Sequence, residues 1–194
     1  PGSGTTSYDY PNPQWRAGVV GFDKSGRPDA VRNILTFTSA PLDGDIEIAG
    51  PIQLNLFASS SNRDTDFVVK LSEQFPQDGP DGTPPRARVV TKGWLRASHR
   101  AIDRERSLPC APWYTHVNPE PIEPGKVYAF AIAVMPTAYR FKKGSRIRLE
   151  LANGDSQLTE FVFQHDYTPD KVGRDTIYHN PDHPSHILLP LVRS

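Results

Sequence analysis

The sequence predicts an all-β domain built as a β-sandwich or barrel, and three observations lead to that class. Twenty prolines and fourteen glycines in 194 residues favour many short strands and turns over long helices. No apolar stripe with the helical period extends beyond about three turns. Several segments alternate instead between apolar and polar side chains, and about nine or ten strands result at the spacing typical of an all-β sandwich.

The stretch Gly125–Leu151 predicts a central pair of neighbouring strands joined by a connection at Pro136–Gly144. Apolar side chains occupy both faces of the first strand, which predicts a strand covered on both sides. In the second strand apolar residues alternate with charged ones, so only one face is expected to be buried. The core predicted from this and similar alternation contains Leu54, Leu56, Phe67, Phe130, Ile132 and Leu149.

The other elements follow from local patterns. Residues 1–30 are rich in Gly, Ser and Pro and predict an extended lead-in with at most a short strand at Gly18–Phe22, before a sandwich domain at 31–194. The composition of residues 76–85 predicts a loop that connects two strands of a hairpin. Residues 98–124 contain many charges and five prolines and are expected to be mostly irregular, although Ile102–Arg106 could form a helical turn. Further strands are predicted at Asn33–Ser39, Gly50–Ser60, Asp66–Phe75, Arg86–Ala97, Thr159–Phe163, Asp175–His179 and Ser185–Val192.

The composition excludes several classes of function. The 22 basic and 22 acidic residues cancel, which removes the electrostatic argument for nucleic acid or an anionic membrane as a partner. Cys110 is the single cysteine, so no internal disulfide is expected and the compartment stays undecided. No apolar run approaches the roughly 20 residues that span a bilayer. The start at Pro1 shows no signal-peptide pattern, and we expect a soluble fragment of a longer protein.

One serine stands in a motif that resembles a nucleophile block. Gly154-Asp155-Ser156 is similar to the corresponding block of the GDSL esterases, which should occur near the start of an α/β domain. Here it follows a late strand in an all-β context, and no Asp-x-x-His occurs near the end. Asn-Gly-Asp-Ser is also favourable turn chemistry, so we interpret it as a turn. No G-x-S-x-G elbow is present, and no catalytic residue is predicted.

Two groups of side chains could bind a metal ion. His179, His183 and His186 lie close in sequence, but prolines interrupt them and the His-x-His pair of a cupin site is missing. Asp64 and Asp66 could bind calcium or perform acid–base chemistry. Capping and ion-pair roles for the aspartates, and surface or hydrogen-bonding roles for the histidines (His116 and His165 included), are preferred. No metal or other cofactor is predicted.

Several sequence blocks occur together in the order of one family. They are Tyr8–Pro13, Leu42, Gly50-Pro51, Ser59-Ser60, Asp64–Phe67, Gly93–Asp103, Pro124–Tyr128, Pro136–Ala138, Phe141–Leu149 and Pro184–Pro190. Together they resemble the C-terminal domain of the CocE/NonD serine hydrolases, the family of cocaine esterase and the X-Pro dipeptidyl-peptidases. One departure is Gly144-Ser145, where glycine-histidine is usual in the family.

The resemblance implies a two-sheet jelly-roll β-sandwich similar to galactose-binding domains. The family's Ser, Asp and His triad belongs to an N-terminal α/β-hydrolase domain that this sequence does not match, so no catalytic residue is carried over. We interpret the chain as a non-catalytic accessory domain of an acyl esterase or X-Pro dipeptidyl-peptidase. Residues 1–30 would then lead in from the hydrolase domain, on which the sandwich packs and whose active site it helps to shape.

An accessory domain must present a face that its hydrolase and cap domains cover. The best candidates are large apolar or aromatic residues in segments without strand alternation. The candidate interdomain contacts are Tyr8, Tyr10, Trp15, Leu108, Trp113 and Tyr114. The alternative is that these rings cap the ends of their own sandwich.

Two rival classes share the expected fold. A carbohydrate-binding module would need an exposed aromatic platform, for which Trp94, Trp113 and Tyr114 are candidates, or a calcium site. A structural or homo-oligomerising module would need only a large apolar patch.

Overall fold

The computed structural model describes residues 4–10, 35–76, 86–153 and 171–192, and their regular structure is almost entirely β. The helical element among them is one 3-10 turn at Ala97–His99. The strands are β1 Thr5–Tyr10, β2 Leu35–Thr38, β3 Ile46–Ser60, β4 Asp66–Gln74, β5 Ala87–Arg96, β6 Ile102–Leu108, β7 Ala111–Tyr114, β8 Tyr128–Phe141, β9 Arg146–Ala152, β10 Gly173–Tyr178 and β11 His186–Leu188.

Nine of these strands form one antiparallel sheet that folds into two layers. Its order is β1-β10-β3-β8-β5-β4-β9-β2, with β11 also paired to β3. The step from β8 to β5 is a single residue pair, Gly93↔Val134, whereas the steps on either side are paired over most of their length. The layers on the two sides of this junction enclose one core, and the predicted all-β sandwich is confirmed.

The core forms where the alternating strands of the two layers face each other. The rings of Phe67 on β4 and Phe130 on β8 lie 5.0 Å apart between centroids, one from each side of the junction. Leu54, Leu56 and Ile132 are also buried, as predicted. Leu149 is half-buried and packs against the same cluster. Period-2 alternation therefore located the core correctly.

The prediction that Gly125–Leu151 folds into two neighbouring strands is wrong. β8 pairs with β3, whereas β9 pairs with β4 and β2, so the chain crosses between layers after Phe141. β8 is also not covered on both sides, because Ala129 is exposed. The strand buried on both faces is β4, whose residues from Asp66 to Glu73 are all buried. One face of β4 contains polar residues, so the sequence pattern predicted that this face is exposed to solvent.

β8 continues through Pro136, where the sequence predicted a connection. The pairing of β3 with β8 shifts between Gly50 and Ile52, so that Met135 and Pro136 lie opposite Pro51. A bulge leaves one residue unpaired, and a proline at that position removes no hydrogen bond from the ladder. The bulge explains how a 14-residue strand accommodates proline.

The structure also corrects two predictions for the first and last strands of the chain. β1 lies within the predicted lead-in but pairs with β10 along its whole length, so this part belongs to the sheet. β11 is shorter than the strand predicted at Ser185–Val192. The strands predicted at Gly18–Phe22 and Thr159–Phe163 lie outside the described residues. The domain boundary at residue 30 also lies there and stays a prediction.

A buried carboxylate holds the connection between β8 and β9. Glu73 accepts hydrogen bonds from the Lys142 backbone N–H at 2.9 Å and from the Tyr139 hydroxyl at 2.6 Å. Burial alone would raise the pKa of Glu73, but these bonds outweigh it and hold the pKa below its ordinary value. The ionised carboxylate is thus part of the folded structure.

Because the pKa of Glu73 is lower in the folded state, its stabilising effect is fully present above the unfolded pKa and is lost as pH falls through the folded pKa. We expect Glu73→Gln to destabilise the chain at pH 7, and the difference from wild type to shrink below about pH 4.5. Urea unfolding between pH 7 and pH 3 measures this. Glu105→Gln removes an exposed carboxylate and is the control. A constant effect of Glu73→Gln across the range would contradict the assignment.

Candidate interdomain surface

β6 and β7 form a two-stranded hairpin outside the main sheet, which corrects the expectation of an irregular segment with a helical turn at Ile102–Arg106. Pairing begins at Ile102↔Tyr114 and ends at a tight turn where Cys110 has a φ of 59°. Asp103 stabilises the irregular middle, because its carboxylate accepts hydrogen bonds from two backbone N–H groups of β6. The hairpin is thus held by local polar contacts.

Tyr114 fastens the hairpin to the sandwich. Its hydroxyl donates to the carbonyl of Ala131 at 2.7 Å and accepts from the N–H of Ala133 at 2.8 Å. These backbone groups lie beside the junction at Val134, where β5 leaves β8. Burial raises the pKa of Tyr114, against the hydrogen bond from Ala133. The neutral phenol therefore makes two hydrogen bonds to the backbone of β8 that a neighbouring strand would otherwise make.

The outer side of the hairpin presents apolar side chains to solvent. Leu108 is 71% exposed and Trp113 is 54% exposed. The Arg106 guanidinium lies 5.9 Å from the centre of the Trp113 ring, a cation–π distance. Val117 beyond β7 is also exposed. We call Leu108, Trp113 and Val117 the hairpin face.

The six predicted contact residues do not lie on one common surface. Leu108 and Trp113 lie on the hairpin face, and Tyr114 is half-buried beneath it. Tyr8 is 3% exposed and belongs to the core of this chain, which removes its ring from any contact surface. The side chain of Tyr10 and the whole of Trp15 lie outside the described residues. The contact role of Leu108 and Trp113 stays a prediction.

A cavity of about 420 Å³ opens beside the hairpin. Trp94 and Tyr114 contribute aromatic rings to its lining, and Arg96 contributes a guanidinium. His99 and His116 also line it, with their Nδ1 atoms 3.4 Å apart. The cavity therefore combines aromatic and polar groups.

The aspartates at 64 and 66 have the structural roles that we preferred. Asp64 accepts hydrogen bonds from both the backbone N–H and the hydroxyl of Ser98, each at 2.8 Å, at the 3-10 turn. Asp66 pairs with Arg96 at 2.9 Å and with the buried Lys171. These contacts tie β4 to the segments that follow β5 and precede β10.

A buried carboxylate at Asp175 joins distant parts of the chain. It accepts hydrogen bonds from the Thr65 hydroxyl at 2.7 Å and the Asn153 amide at 3.2 Å. Burial raises the pKa of Asp175, although these bonds favour its charged form. Burial lowers the pKa of Lys171 against the attraction of nearby carboxylates, and it raises the pKa of Tyr8, as does neighbouring Asp175. Sequence reasoning missed this network, because its members are far apart in the chain.

The histidines make individual contacts in the structure. His179 bonds Thr6, His186 bonds Asn55, and His183 packs edge-on against the Tyr178 ring. Among the residues that the structure describes, no group of three or more His, Cys, Asp or Glu side chains could hold a metal ion.

The described residues offer little for nucleophilic catalysis. Thr6 Oγ1 lies 2.9 Å from His179 Nε2, but within the described ranges this ring donates no hydrogen bond to a carboxylate that would orient it. Ser156 and His165 lie outside them. No helix in the same ranges has the length and hydropathy of a membrane-spanning segment.

Fold and site together define a β-sandwich domain with a hairpin that exposes Leu108 and Trp113. Residues 7–188 match the model of the X-Pro dipeptidyl-peptidase C-terminal non-catalytic domain. The chain belongs to this family, the C-terminal domain of CocE/NonD hydrolases.

Known relatives are longer proteins. The cocaine esterase of Rhodococcus sp. (strain MB1 Bresler) is 29% identical over 168 residues, which cover 83% of this chain and 26% of that protein. A Mycobacterium tuberculosis (strain CDC 1551 / Oshkosh) protein whose name includes serine esterase is 31% identical over 165 residues, covering 82% of this chain and 24% of that protein. The chain thus spans about a quarter of the length of these relatives.

Solved structures share the fold. A CocE/NonD family hydrolase from Staphylococcus aureus superposes with a TM-score of 0.72 at 21% identity, covering 97% of this chain and 32% of that one. An α-amino-acid ester hydrolase gives a TM-score of 0.63 at 22% identity, covering 84% and 26%. In both, a fold like this one makes up about a third or less of a larger hydrolase chain. A specific likeness to galactose-binding domains stays a prediction.

Proposed function

We propose that this chain is the accessory domain of a CocE/NonD-type serine hydrolase, and that it packs on the α/β-hydrolase and cap domains through the hairpin face. The parent enzyme acts on an ester or on an X-Pro peptide. The domain contributes no catalytic group and helps to shape and shield the active site.

The hairpin is the observation that carries this proposal. An isolated two-stranded hairpin is marginally stable in water. This hairpin nevertheless exposes two large apolar side chains, Leu108 near its tip and Trp113 on its outer side. Tyr114 fixes its base to β8 through two backbone hydrogen bonds, so the apolar groups are held in place before any contact forms. A rigid aromatic anchor with an apolar neighbour is typical of the centre of an interface.

The double substitution Trp113→Ala/Leu108→Ala should weaken the attachment of this domain in the full-length hydrolase. Truncation of a central aromatic anchor costs about 2 kcal/mol or more at protein interfaces. We therefore expect faster thermal inactivation of esterase or X-Pro peptidase activity, measured as residual turnover after heating. Unfolding of the 194-residue chain alone should change little, because both side chains are exposed there.

Val89→Ala is the matched control for this experiment. Val89 is 43% exposed on β5 and lies outside the hairpin face. It should leave both inactivation of the hydrolase and unfolding of the chain unchanged. If the double variant inactivates at the wild-type rate, the hairpin face is not the contact.

The chain alone should hydrolyse neither p-nitrophenyl esters nor X-Pro anilides. The described residues hold no oriented nucleophile–base pair, and the sequence has no G-x-S-x-G elbow. Turnover by purified chain that disappears in Ser156→Ala would overturn this expectation and restore the GDSL interpretation.

The cavity beside the hairpin favours carbohydrate binding as a second candidate function. Trp94 and Tyr114 provide rings on which a sugar could stack, and Arg96 provides hydrogen-bond donors. Binding of the chain to oligosaccharides on a glycan array, with loss of binding in Trp94→Ala, would support this function. Absence of binding would leave the accessory role.

A further inference from the structure

A second cavity, of about 340 Å³, lies between the two layers of the sandwich. One wall comes from β2 and β9, and the other comes from β3, β10 and β11. Its floor consists of side chains that are almost fully buried: Leu54, Leu56, Leu151 and Ile177. Its mouth consists of half-buried apolar side chains: Phe37, Ile147, Leu149, Ile187 and Leu189.

Among the described residues that line the cavity, none is Asp, Glu, Lys or Arg. Ser185 and the two histidines at its rim are already hydrogen-bonded to other groups of the chain. The Ser185 hydroxyl donates to the Tyr178 carbonyl and accepts from the Phe57 N–H. His179 pairs with Thr6, and His186 contacts Asn55 and the Pro184 carbonyl. A molecule in the cavity would therefore find apolar surface and little demand for hydrogen bonds.

Size and chemistry together indicate what this cavity accepts. An apolar cavity of about 150 Å³ in another protein stays dry and binds benzene. Natural ligand sites begin at about 300 Å³ and are lined mainly by apolar side chains. A charged group would lose its hydration here without gaining a partner, and that cost is large.

We propose that the cavity between the layers is a binding site for an uncharged hydrophobic molecule, either an alkyl chain or an aromatic ring. This site is separate from the hairpin face and does not depend on the accessory-domain function. The half-buried mouth at Ile147 and Leu149 lets the ligand enter, and the buried floor receives its apolar end.

The test uses the 194-residue chain and the uncharged dye N-phenyl-1-naphthylamine. We expect a saturable fluorescence increase with one dye per chain at pH 8. Displacement by 1-octanol should require a concentration lower than that of octanoate by about tenfold or more, because the carboxylate cannot be buried unpaired. Leu149→Trp and Ile147→Trp each place a larger ring at the mouth and should weaken dye binding by about tenfold.

Val89→Trp adds the same ring to an exposed site outside the cavity and should leave binding unchanged. If the mouth variants fail to fold, intermolecular NOEs between 1-octanol and the methyl groups of Leu54, Leu151 and Ile177 provide the test in wild type. Unsaturable dye binding, equal displacement by octanol and octanoate, full binding by folded mouth variants, or absent NOEs would each overturn the proposal.

Discussion

Phe130→Ala is expected to lower the free energy of unfolding by about 3–5 kcal/mol, as for buried aromatic residues generally. Phe130 is 2% exposed and lies against Phe67 of the opposite layer, with ring centroids 5.0 Å apart. The substitution removes contacts between layers, and the surrounding strands can only partly close the gap. Urea denaturation followed by circular dichroism measures the change.

Met135→Ala on the same strand is the matched control, because this side chain is exposed. Its effect should stay within about 0.5 kcal/mol. If Phe130→Ala were as mild as this control, the core would not lie between β4 and β8.

Gly93→Ala is expected to destabilise the chain by roughly 3 kcal/mol, the upper end of the range for overpacking. A Cβ atom at this position would lie 2.3 Å from the Ala133 carbonyl oxygen and 2.9 Å from the Val134 Cα. Both atoms belong to the backbone of β8, so a side-chain rotation cannot relieve the contact. The strands would have to separate at Gly93↔Val134, the pair that links the two layers.

Gly44→Ala is a matched control for backbone entropy, because a Cβ atom there would meet nothing within 4 Å. It should change stability by no more than about 1 kcal/mol in either direction. Thermal unfolding of the two variants under identical conditions gives the comparison. Equal stability of the two would mean that the close approach of β5 to β8 is not required.

The strands that face the core were predictable from the sequence, because burial imposes a period of two on their side chains. β3 shows this most clearly, with Ile52, Leu54, Leu56 and Ala58 all buried. The pairing of β4 with β5 also followed, since a turn-rich loop separates them. The likeness to the CocE/NonD family rested on blocks in the connections as well as in the strands.

The β6–β7 hairpin was not predictable in this way. Its strands face solvent, so no alternation marks them, and β6 contains mostly charged residues. Asp103 and the hydroxyl of Tyr114 determine its shape and position. Tyr114 bonds residues 17 and 19 positions further along the chain, and a sequence pattern contains no sign of such contacts.

The partners of β8 and β9 could not be read from the sequence either. Both strands contain regularly spaced apolar residues and lie close together in the chain, which favours pairing between them, but the chain crosses from one layer to the other at Lys142. Glu73 on β4 accepts a hydrogen bond from the backbone of that residue. The crossing thus depends on a contact across 69 residues of sequence.

Hydroxyl-radical footprinting of Trp113 tests the central claim most directly. The labelling rate of this side chain should be compared between the 194-residue chain and the full-length hydrolase, with Val89 as an internal reference. We predict high labelling in the chain, where Trp113 is 54% exposed, and strong protection in the hydrolase, with no change at Val89. Equal labelling of Trp113 in the two proteins would contradict the proposal that the hairpin face is the interdomain contact.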